Sequence, residues 1–411
     1  MPVFPSAKAC SKQRWWQTKV SDFTALIAGA GPAGLAAAAL LAKEGVRTAL
    51  VASPIADDPR TVALMQPSIQ LLKYLGIWPG SLETHTAPLQ KLRMIDNTGS
   101  LLVAPDLEFD SSEMNLEAFG WNIPLGKLLP VLRQRAEEVG VVFLEGTATG
   151  AKSTEDAVHI NLSDGREISA SVCIAADGAN SAIRTAAGIT TDNWSYDQVA
   201  IATSFAHSMG HDNISTEYHK AAGPFTTVPL PDNRSSLVWM ERPPRAEALM
   251  TMSDQELAAE IQIETHGDLG LISNLGPRKS FPMKGLTARQ FASNRVILIG
   301  EAAHMVPPIG AQGLNMSLRD AALAADLILA SKDAGSDGVM AEYNATRRAE
   351  VLPRQQLIDL MNKSLLLGFL PLEGARALSL SALHYLGPLK RLVMQHGLQP
   401  ARNLPFAMRA S

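Results

Sequence analysis

A glycine-rich turn near the start of the chain constrains the fold more than any other stretch. Its sequence is GAGPAG at residues 29–34, and it directly follows a short apolar run at residues 24–28. An alanine-rich segment at residues 35–44 and a second apolar run at residues 48–51 come next. A GxGxxG motif framed by a strand, a helix and a second strand is typical of a dinucleotide-binding βαβ unit.

The three glycines of this motif have different tasks. Gly29 allows the tight turn, Gly31 lets a pyrophosphate approach the backbone, and Gly34 lets the helix pack closely on the strand. One part of the pattern is missing. An acidic residue normally ends the second strand and binds the ribose hydroxyls, but Ala52 and Ser53 stand at that place.

A second strand–loop–helix unit lies near the end of the chain. An apolar run at residues 296–299 stops at Gly300, and the pattern predicts a helical turn through His304. A loop rich in proline and glycine, residues 307–313, then leads into a helical repeat of apolar residues at 314–330. The N-terminus of a helix that opens from such a loop is a good seat for an anion. Taken alone, this stretch favours an ordinary structural unit.

A third strand ends at Asp177-Gly178, after an apolar run that starts at Cys173. Ser181 and Arg184 follow on one face of the next turn. This stretch also has a purely structural interpretation, as a turn with a helix cap. Because the carboxyl ends of strands in open α/β sheets bind ligands, three such ends with glycine or acid at the tip favour a ligand site.

Composition excludes several classes of protein. The chain has 411 residues, 46% of them hydrophobic, which is enough for a large core and more than one domain. A net charge of −4 without a long basic run excludes a nucleic-acid footprint. Two cysteines, Cys10 and Cys173, exclude a disulfide framework and a cysteine-rich metal site, so we predict no metal and a cytoplasmic location.

The basic residues 1–21 lack the apolar core of a secretory signal. We interpret them as a disordered lead, with a transit peptide as the alternative.

Together these motifs resemble the group A FAD-dependent aromatic hydroxylases. Glu301 stands where that family usually has aspartate. Further matches resemble the ubiquinone-biosynthesis hydroxylases, the 2-polyprenylphenol hydroxylase family, over roughly residues 22–395. The matching sequences are DPRT at 58–61, GP at 223–224, SLVW at 236–239, QGLN at 312–315 and PLKR at 388–391.

The resemblance implies an α/β fold like that of para-hydroxybenzoate hydroxylase. A Rossmann-like FAD-binding domain would be assembled from three separate segments, and a β-sheet substrate domain from two. We expect the FAD-binding domain to comprise residues 22–86, 117–190 and 288–345, the substrate domain residues 87–116 and 191–287, and a C-terminal helical region residues 346–411. Within that region we predict helices at residues 347–370, 372–386 and 389–397.

The same resemblance implies FAD as cofactor, NAD(P)H as co-substrate, O₂, and a polyprenylated phenol or quinol as substrate. Hydroxylation would proceed through a flavin hydroperoxide, and His304 would be structural. The implied catalytic positions, which shape the ring pocket, are Pro308, Gly310 and Gln312. The implied cofactor-binding residues are Gly29, Gly31, Gly34, Arg60, Asn122, Asp177, Gly178, Arg184, Gly300, Glu301, Gly313, Leu314 and Asn315. The resemblance also implies that Asp177 and Arg184 dock NAD(P)H.

Two alternatives to a hydroxylase stay open from the sequence. Ala52 and Glu301 depart from the family pattern, which is compatible with a non-catalytic scaffold protein of a quinone pathway. A flavin reductase of the same fold is the other. Lys390 and Arg391 beside apolar residues 392–394 fit core packing and a peripheral contact with the inner face of a membrane equally well. Other quinone-biosynthesis proteins are the expected partners.

Overall fold

The computed structural model describes residues 23–54, 58–99, 104–366 and 404–410, together with Tyr385, Lys390 and Arg391. The predicted lead at residues 1–21 and most of the predicted C-terminal helices at 372–386 and 389–397 lie outside the described residues. The helices are α1 (Pro32–Lys43), α2 (Gln66–Leu75), α3 (Leu125–Glu138), α4 (Ala182–Ala186), α5 (Pro243–Thr251), α6 (Asp254–Glu264), α7 (Gln312–Ala330) and α8 (Asp337–Leu366).

The strands alternate with these helices in the first part of the chain and follow one another in the middle. They are β1 (Phe23–Ala28), β2 (Thr48–Ala52), β3 (Thr61–Met65), β4 (Ala87–Leu89), β5 (Lys91–Asp96), β6 (Leu107–Asp110), β7 (Gly120–Pro124), β8 (Val142–Glu145), β9 (Ala148–Ser153), β10 (Val158–Leu162), β11 (Glu167–Ala175), β12 (Thr191–His207), β13 (Ile214–Lys220), β14 (Gly223–Leu230), β15 (Arg234–Glu241), β16 (Ile272–Ser273), β17 (Lys279–Ala288), β18 (Ala292–Ser293), β19 (Val296–Leu298) and β20 (His304–Met305).

The first sheet has a parallel centre in the order β19-β11-β1-β2-β8. Its strands are apolar runs without alternation, as expected when helices cover both faces. Helix α1 is buried from Ala33 to Leu41 and packs against α3 and α7. Its many alanines present small side chains, which lets α1 approach the sheet and α7 closely. The βαβ unit predicted from the sequence is confirmed.

The second sheet is almost entirely antiparallel, in the order β20-β17-β12-β15-β14-β13-β5-β6, with β13 and β5 parallel. One face carries a core with Tyr218, Phe225 and Trp239, which α5 and α6 cover. The opposite face packs against α8 and the loop before α7, through residues such as Ile309 and Ile358. A small sheet, β3-β7-β4, completes the fold. The α/β class with a separate β-sheet is confirmed.

Element boundaries depart from the sequence prediction at several places. The helix expected from residue 35 begins at Pro32, because proline suits the first helical position. The helix expected from residue 347 begins earlier, at Asp337. The prediction of a helical turn through His304 was wrong. A 3-10 helix ends at Ala302, and His304 then pairs with Thr287 in a short strand.

Candidate cofactor and substrate site

Three strand ends meet at one edge of the parallel sheet. Strands β2, β1, β11 and β19 are consecutive neighbours, and backbone hydrogen bonds continue past their ends. Gly29 N donates to Val51 O at 2.8 Å, Ala176 N to Ala28 O at 2.8 Å, and Ile299 N to Ala175 O at 3.0 Å. The glycine-rich turn, the Asp177 turn and the Gly300–Glu301 turn therefore lie side by side.

The glycine-rich turn leaves no room for side chains at two positions and free space at a third. A Cβ on Gly34 would lie 2.1 Å from Gly29 O, and one on Gly29 would lie 2.3 Å from Ala176 O. Gly29 also has a positive φ of 111°. A Cβ on Gly31 would meet nothing within 4 Å. The close packing predicted for Gly34 is thus present, and the space at Gly31 faces the open N-terminus of α1.

The Asp177 turn is held by its own side chains. Ser181 Oγ donates to Asp177 Oδ1 at 2.5 Å and accepts from Arg184 N at 2.9 Å, which caps α4. The Arg184 guanidinium is buried and donates to Ala302 O at 2.9 Å and to Ala179 O at 2.8 Å. Burial lowers the pKa of Arg184, and the nearby charge of Asp177 opposes this change. Arg184 therefore fastens the Asp177 turn to the Gly300–Ala302 turn, while a role in docking NAD(P)H stays a prediction.

A buried ionic cluster that the sequence did not reveal holds the third turn. Asp320 on α7 is fully buried and accepts from Gly300 N at 2.9 Å, from His304 Nε2 at 2.7 Å and from Arg347 Nε at 2.7 Å. Burial alone would raise the pKa of the Asp320 carboxyl, but the interactions with His304 and Arg347 outweigh burial and lower it. Asp320 lies among the apolar residues of the helix predicted at 314–330, and charged residues are rarely buried without a partner. That position is the sequence signal that could have identified it.

Glu301 and Arg60 lie on the accessible side of this edge. Glu301 is exposed and follows Gly300 in the 3-10 helix. Arg60 pairs with Asp58 and lies over the ring of Phe281, with 5.2 Å between guanidinium and centroid. The hydrogen bond that Arg60 donates to Asp58 is the main cause of the raised pKa of Arg60, and the charge of Glu301 adds to it. Arg60 therefore lies near enough to Glu301 for the two opposite charges to attract.

The loop before α7 delivers an open helix N-terminus to the same edge. Ala311 has left-handed backbone angles and makes no capping hydrogen bond with its side chain. A Cβ on Gly313 would meet nothing within 4 Å, and the first N–H groups of a helix have no partner within the helix. Pro308 and Gly310 are exposed in this loop, and Gln312 Nε2 donates to Gly310 O at 3.1 Å. Leu314 is half-buried one residue further.

Two of the predicted cofactor-binding residues use their side chains in hydrogen bonds to other parts of the chain. Asn315 donates to Ala63 O at 2.8 Å and accepts from Met65 N at 2.9 Å, which fixes the start of α7 to β3. Asn122 is buried and donates to Pro229 O at 2.9 Å and to Ser236 Oγ at 3.0 Å in the second sheet. Both residues position elements around the site, and direct cofactor contacts by Asn122 and Asn315 stay predictions.

The end of β2 has an unexpected neighbour. Ala52, which replaces the usual acid, is paired in register with Glu145 at the end of β8. Adjacent strands are about 4.8 Å apart, so the two side chains lie next to each other. Glu145 is exposed. Ser53 Oγ lies within hydrogen-bond distance of Thr147 Oγ1, at 2.9 Å.

The residues of this edge of the sheet fit FAD, because two open helix N-termini and the free space at Gly31 can accept a pyrophosphate and an anionic ring edge.

The family model described as "FAD binding domain" matches residues 22–355 of this chain. The chain belongs to this FAD-binding family. Among curated members, ubiquinone hydroxylase UbiL of Rhodospirillum rubrum is 30% identical over 393 residues, covering 92% of this chain and 90% of the relative. The 3-demethoxyubiquinol 3-hydroxylase of Escherichia coli is also 30% identical, over 386 residues, covering 90% and 97%.

Solved structures of this FAD-binding fold support the assignment of the architecture. The p-nitrophenol 4-monooxygenase PnpA from Pseudomonas putida has a TM-score of 0.75 at 20% identity, covering 93% of this chain and 100% of that one. A single-substitution variant of Klebsiella pneumoniae HpxO, solved in complex with FAD, has a TM-score of 0.71 at 18% identity, covering 92% and 98%. The predicted fold and the prediction of an FAD-dependent monooxygenase are confirmed.

None of the helices within the described ranges is long and apolar enough to cross a bilayer. Lys390 Nζ lies 2.5 Å from Glu113 Oε1 and 5.8 Å from the centroid of Phe109. A contact of Lys390 and Arg391 with a membrane surface stays a prediction. Arg391 is exposed.

Over the same described ranges, no group of three or more His, Cys, Asp or Glu side chains could hold a metal ion.

Proposed function

We propose that this protein hydroxylates the aromatic ring of a polyprenylated phenol or quinol in ubiquinone biosynthesis, using NAD(P)H and O₂. The observation that carries the proposal is the position of the α7 N-terminus, which opens onto an apolar surface of the second sheet. The names of the relatives from Rhodospirillum and Escherichia describe hydroxylation of ubiquinone or its precursors. These relatives support the substrate class.

The apolar surface has two parts, one on each side of Gly310. Ile309 belongs to a cluster with Ala200 and Met240. Ala311 packs against a second cluster that includes Phe109. An aromatic ring that carries a prenyl tail is itself largely apolar, and ligand sites of this kind are lined by apolar side chains with a few polar groups. The loop with Pro308, Gly310 and Gln312 would therefore cover the ring of the substrate.

Bound FAD would supply the redox chemistry, taking hydride from NAD(P)H and activating O₂. The chain itself binds and orients the substrate and keeps water out of the site. The α1 N-terminus would hold the pyrophosphate beside Gly31, and Glu301 would contact the ribityl region. The α7 N-terminus would stabilise negative charge on the reduced ring, because unpaired N–H groups and the helix dipole favour an anion. Asp320 keeps the Gly300 turn in the geometry that this arrangement needs.

Glu145 is the group that we propose for the adenosine ribose. Its register with Ala52 places a carboxylate beside the position where the usual acid would stand. Within the described residues, no hydrogen bond or ion pair occupies the Glu145 carboxylate; only its backbone carbonyl accepts, from Arg166. A free carboxylate is an acceptor for hydroxyl groups. The loss of the acid at Ala52 would thus be offset from the neighbouring strand.

Deletion of the gene in its native host tests this function in the cell. We expect ubiquinone to fall and a prenylated intermediate that lacks one ring oxygen to accumulate. Unchanged ubiquinone without such an intermediate, in a host without a second hydroxylase, would contradict the proposal. Complementation with Gly34→Val, which cannot accommodate a side chain beside Gly29 O, separates the scaffold alternative. Full rescue by a variant whose purified form lacks the flavin spectrum would favour a scaffold. No rescue, with the variant present at the level of the parent and without flavin, supports the enzyme.

A further inference from the structure

The face of the second sheet beneath Gly310 carries two polar residues between the two apolar clusters. One row of paired residues crosses this face in the order Met94, Glu217, Thr226 and Val238. Met94 belongs to the cluster that contacts Ala311, and Val238 to the cluster of Ile309. Gly310 joins Ile309 to Ala311, so the loop connects the two clusters between which Glu217 and Thr226 lie in this row.

His219 lies on the same face of β13 as Glu217, because residues two apart on a strand point to the same side. The intervening Tyr218 points to the opposite face, where its ring lies 5.7 Å from that of Phe225. His219 Nε2 is 2.8 Å from Glu217 Oε1. Glu217 and His219 therefore form a hydrogen-bonded pair on the face of the second sheet that also carries the two apolar clusters.

The second ring nitrogen of His219 has no partner in the part of the chain that the structure describes. His219 is only 6% exposed, and its Nδ1 is buried without a hydrogen bond to any described residue. A carboxylate can only accept, so Nε2 carries the proton that is donated to Glu217. In a neutral imidazole this leaves a lone pair on Nδ1. Buried polar atoms normally have a partner, and a free Nδ1 in this position points to a ligand that donates a proton.

We infer that His219 is the catalytic base for the hydroxyl group of the substrate ring, a role that rests on the proposed function. The O–H bond of the phenol breaks, its electron pair stays on oxygen, and an N–H bond forms at Nδ1. The phenolate is a stronger carbon nucleophile toward an electrophilic oxygen than the phenol. Glu217 stabilises the imidazolium, as a carboxylate does for a catalytic histidine. When the hydroxylated ring regains its aromaticity, the C–H bond at the attacked carbon breaks and its proton leaves to solvent, while the imidazolium returns its proton to the original oxygen. The proton released from carbon balances the one that the leaving oxygen of the oxidant would take up, so His219 ends the cycle neutral.

The other charged groups near His219 are engaged elsewhere. Asp96, which is paired with His219 in register on β5, accepts hydrogen bonds from Thr98 and Ala104. The ammonium group of Lys220 lies on the opposite face, between Glu241 and Glu264 and over Trp239. Glu217 is therefore the charged group that directly contacts the imidazole.

A chromophoric phenol tests the inference without requiring turnover. The probe is a 4-nitrophenol with a ten-carbon prenyl tail at carbon 2, whose phenolate absorbs visible light and whose phenol does not. We expect the parent protein to bind it as phenolate at a pH where the free probe is still protonated. His219→Gln should lose this shift, and Glu217→Gln should reduce it. His159→Gln is the matched control, because His159 forms a similar pair with Glu167 on β10 and β11, away from the site.

Rates supply the second readout. With 2-geranylphenol as substrate, the hydroxylation rate of His219→Gln at neutral pH should fall about a hundredfold, the usual contribution of a general base. The rate should recover as the pH approaches the pKa of the phenol, since the substrate then ionises alone. A purely structural role would not give this recovery. If His219→Gln does not retain flavin, Glu217→Gln carries the test.

Two results overturn the inference, and they are distinguishable. If the parent binds the nitrophenol as neutral phenol, or if His219→Gln binds it as phenolate like the parent, His219 is not the base. The proposed function then stands. If the parent neither binds the probe nor hydroxylates the geranylphenol, the proposed substrate class fails together with this role.

Discussion

Removal of the Glu145 carboxylate should weaken FAD binding. Ala52 offers no acceptor to the adenosine ribose, and Glu145 is the in-register neighbour that does. Hydrogen bonds to charged groups contribute about 1.5–3 kcal/mol. Because Glu145 is exposed, water competes for the carboxylate and the lower value applies. We therefore expect Glu145→Gln to weaken FAD binding by about tenfold. Titration of apoprotein with FAD, followed by flavin fluorescence, measures the change.

A double-mutant cycle shows whether the side chains at positions 52 and 145 bind the same group, the adenosine ribose. Ala52→Glu should tighten binding in the parent, and Glu145→Gln should cost much less in the presence of Glu at position 52. Glu247→Gln, an exposed change on α5, is the control and should leave FAD affinity unchanged. If FAD binds the parent tightly and Glu145→Gln has no effect, another group holds the ribose and the reasoning about this register is wrong.

Three other contacts of the site can be perturbed in the same way. Gly34→Ala would place a Cβ 2.1 Å from Gly29 O; we expect an overpacking cost of about 1–3 kcal/mol and reduced flavin content, seen in thermal unfolding and absorbance. Asp320→Asn leaves Glu350 as the remaining charge partner of the buried Arg347 guanidinium, so urea unfolding should show a loss at the lower end of the about 3–5 kcal/mol that breaking a buried ion pair costs. Because the folded-state pKa of Asp320 is below its ordinary value of 3.8, its stabilisation is present above that pH and is lost as pH falls through the folded-state value. Acid should therefore destabilise the parent more steeply than Asp320→Asn. Asp177→Ala removes the acceptor for Ser181 at a cost of about 1–3 kcal/mol, and NADPH should reduce its flavin much more slowly than that of the parent in stopped-flow absorbance.

Local patterns were enough to predict the nucleotide unit. The motif at residues 29–34 is contiguous, and the strand, helix and strand that frame it lie directly beside it in the sequence. The strand ends at Asp177 and Gly300 were predictable for the same reason. Their adjacency followed from the general rule that strands of a parallel sheet end at one edge. The start of α1 shifted because proline suits the first helical position, and the turn at His304 was replaced by strand pairing with Thr287.

Contacts between distant segments could not be predicted from one sequence. The Asn315–Met65 hydrogen bond spans 250 residues, and the register that brings Glu145 beside Ala52 depends on how β2 and β8 pair. Asp320 looked like one more residue of a helical repeat, because its partner Arg347 lies on another helix. Arg184 was predicted to dock NAD(P)H, yet its guanidinium is engaged with two backbone carbonyls that only the folded chain brings close.

The proposed function depends on one step, the insertion of a single oxygen atom of O₂ into a prenylated aromatic ring. To follow that atom, FAD-loaded protein is supplied with NADPH, 2-geranylphenol and isotopically labelled dioxygen. The mass of the product is then measured by mass spectrometry. We predict a hydroxylated ring that carries one labelled oxygen. A product with a reduced prenyl double bond and no label, or NADPH oxidation without any change in the phenol, would contradict the proposed function.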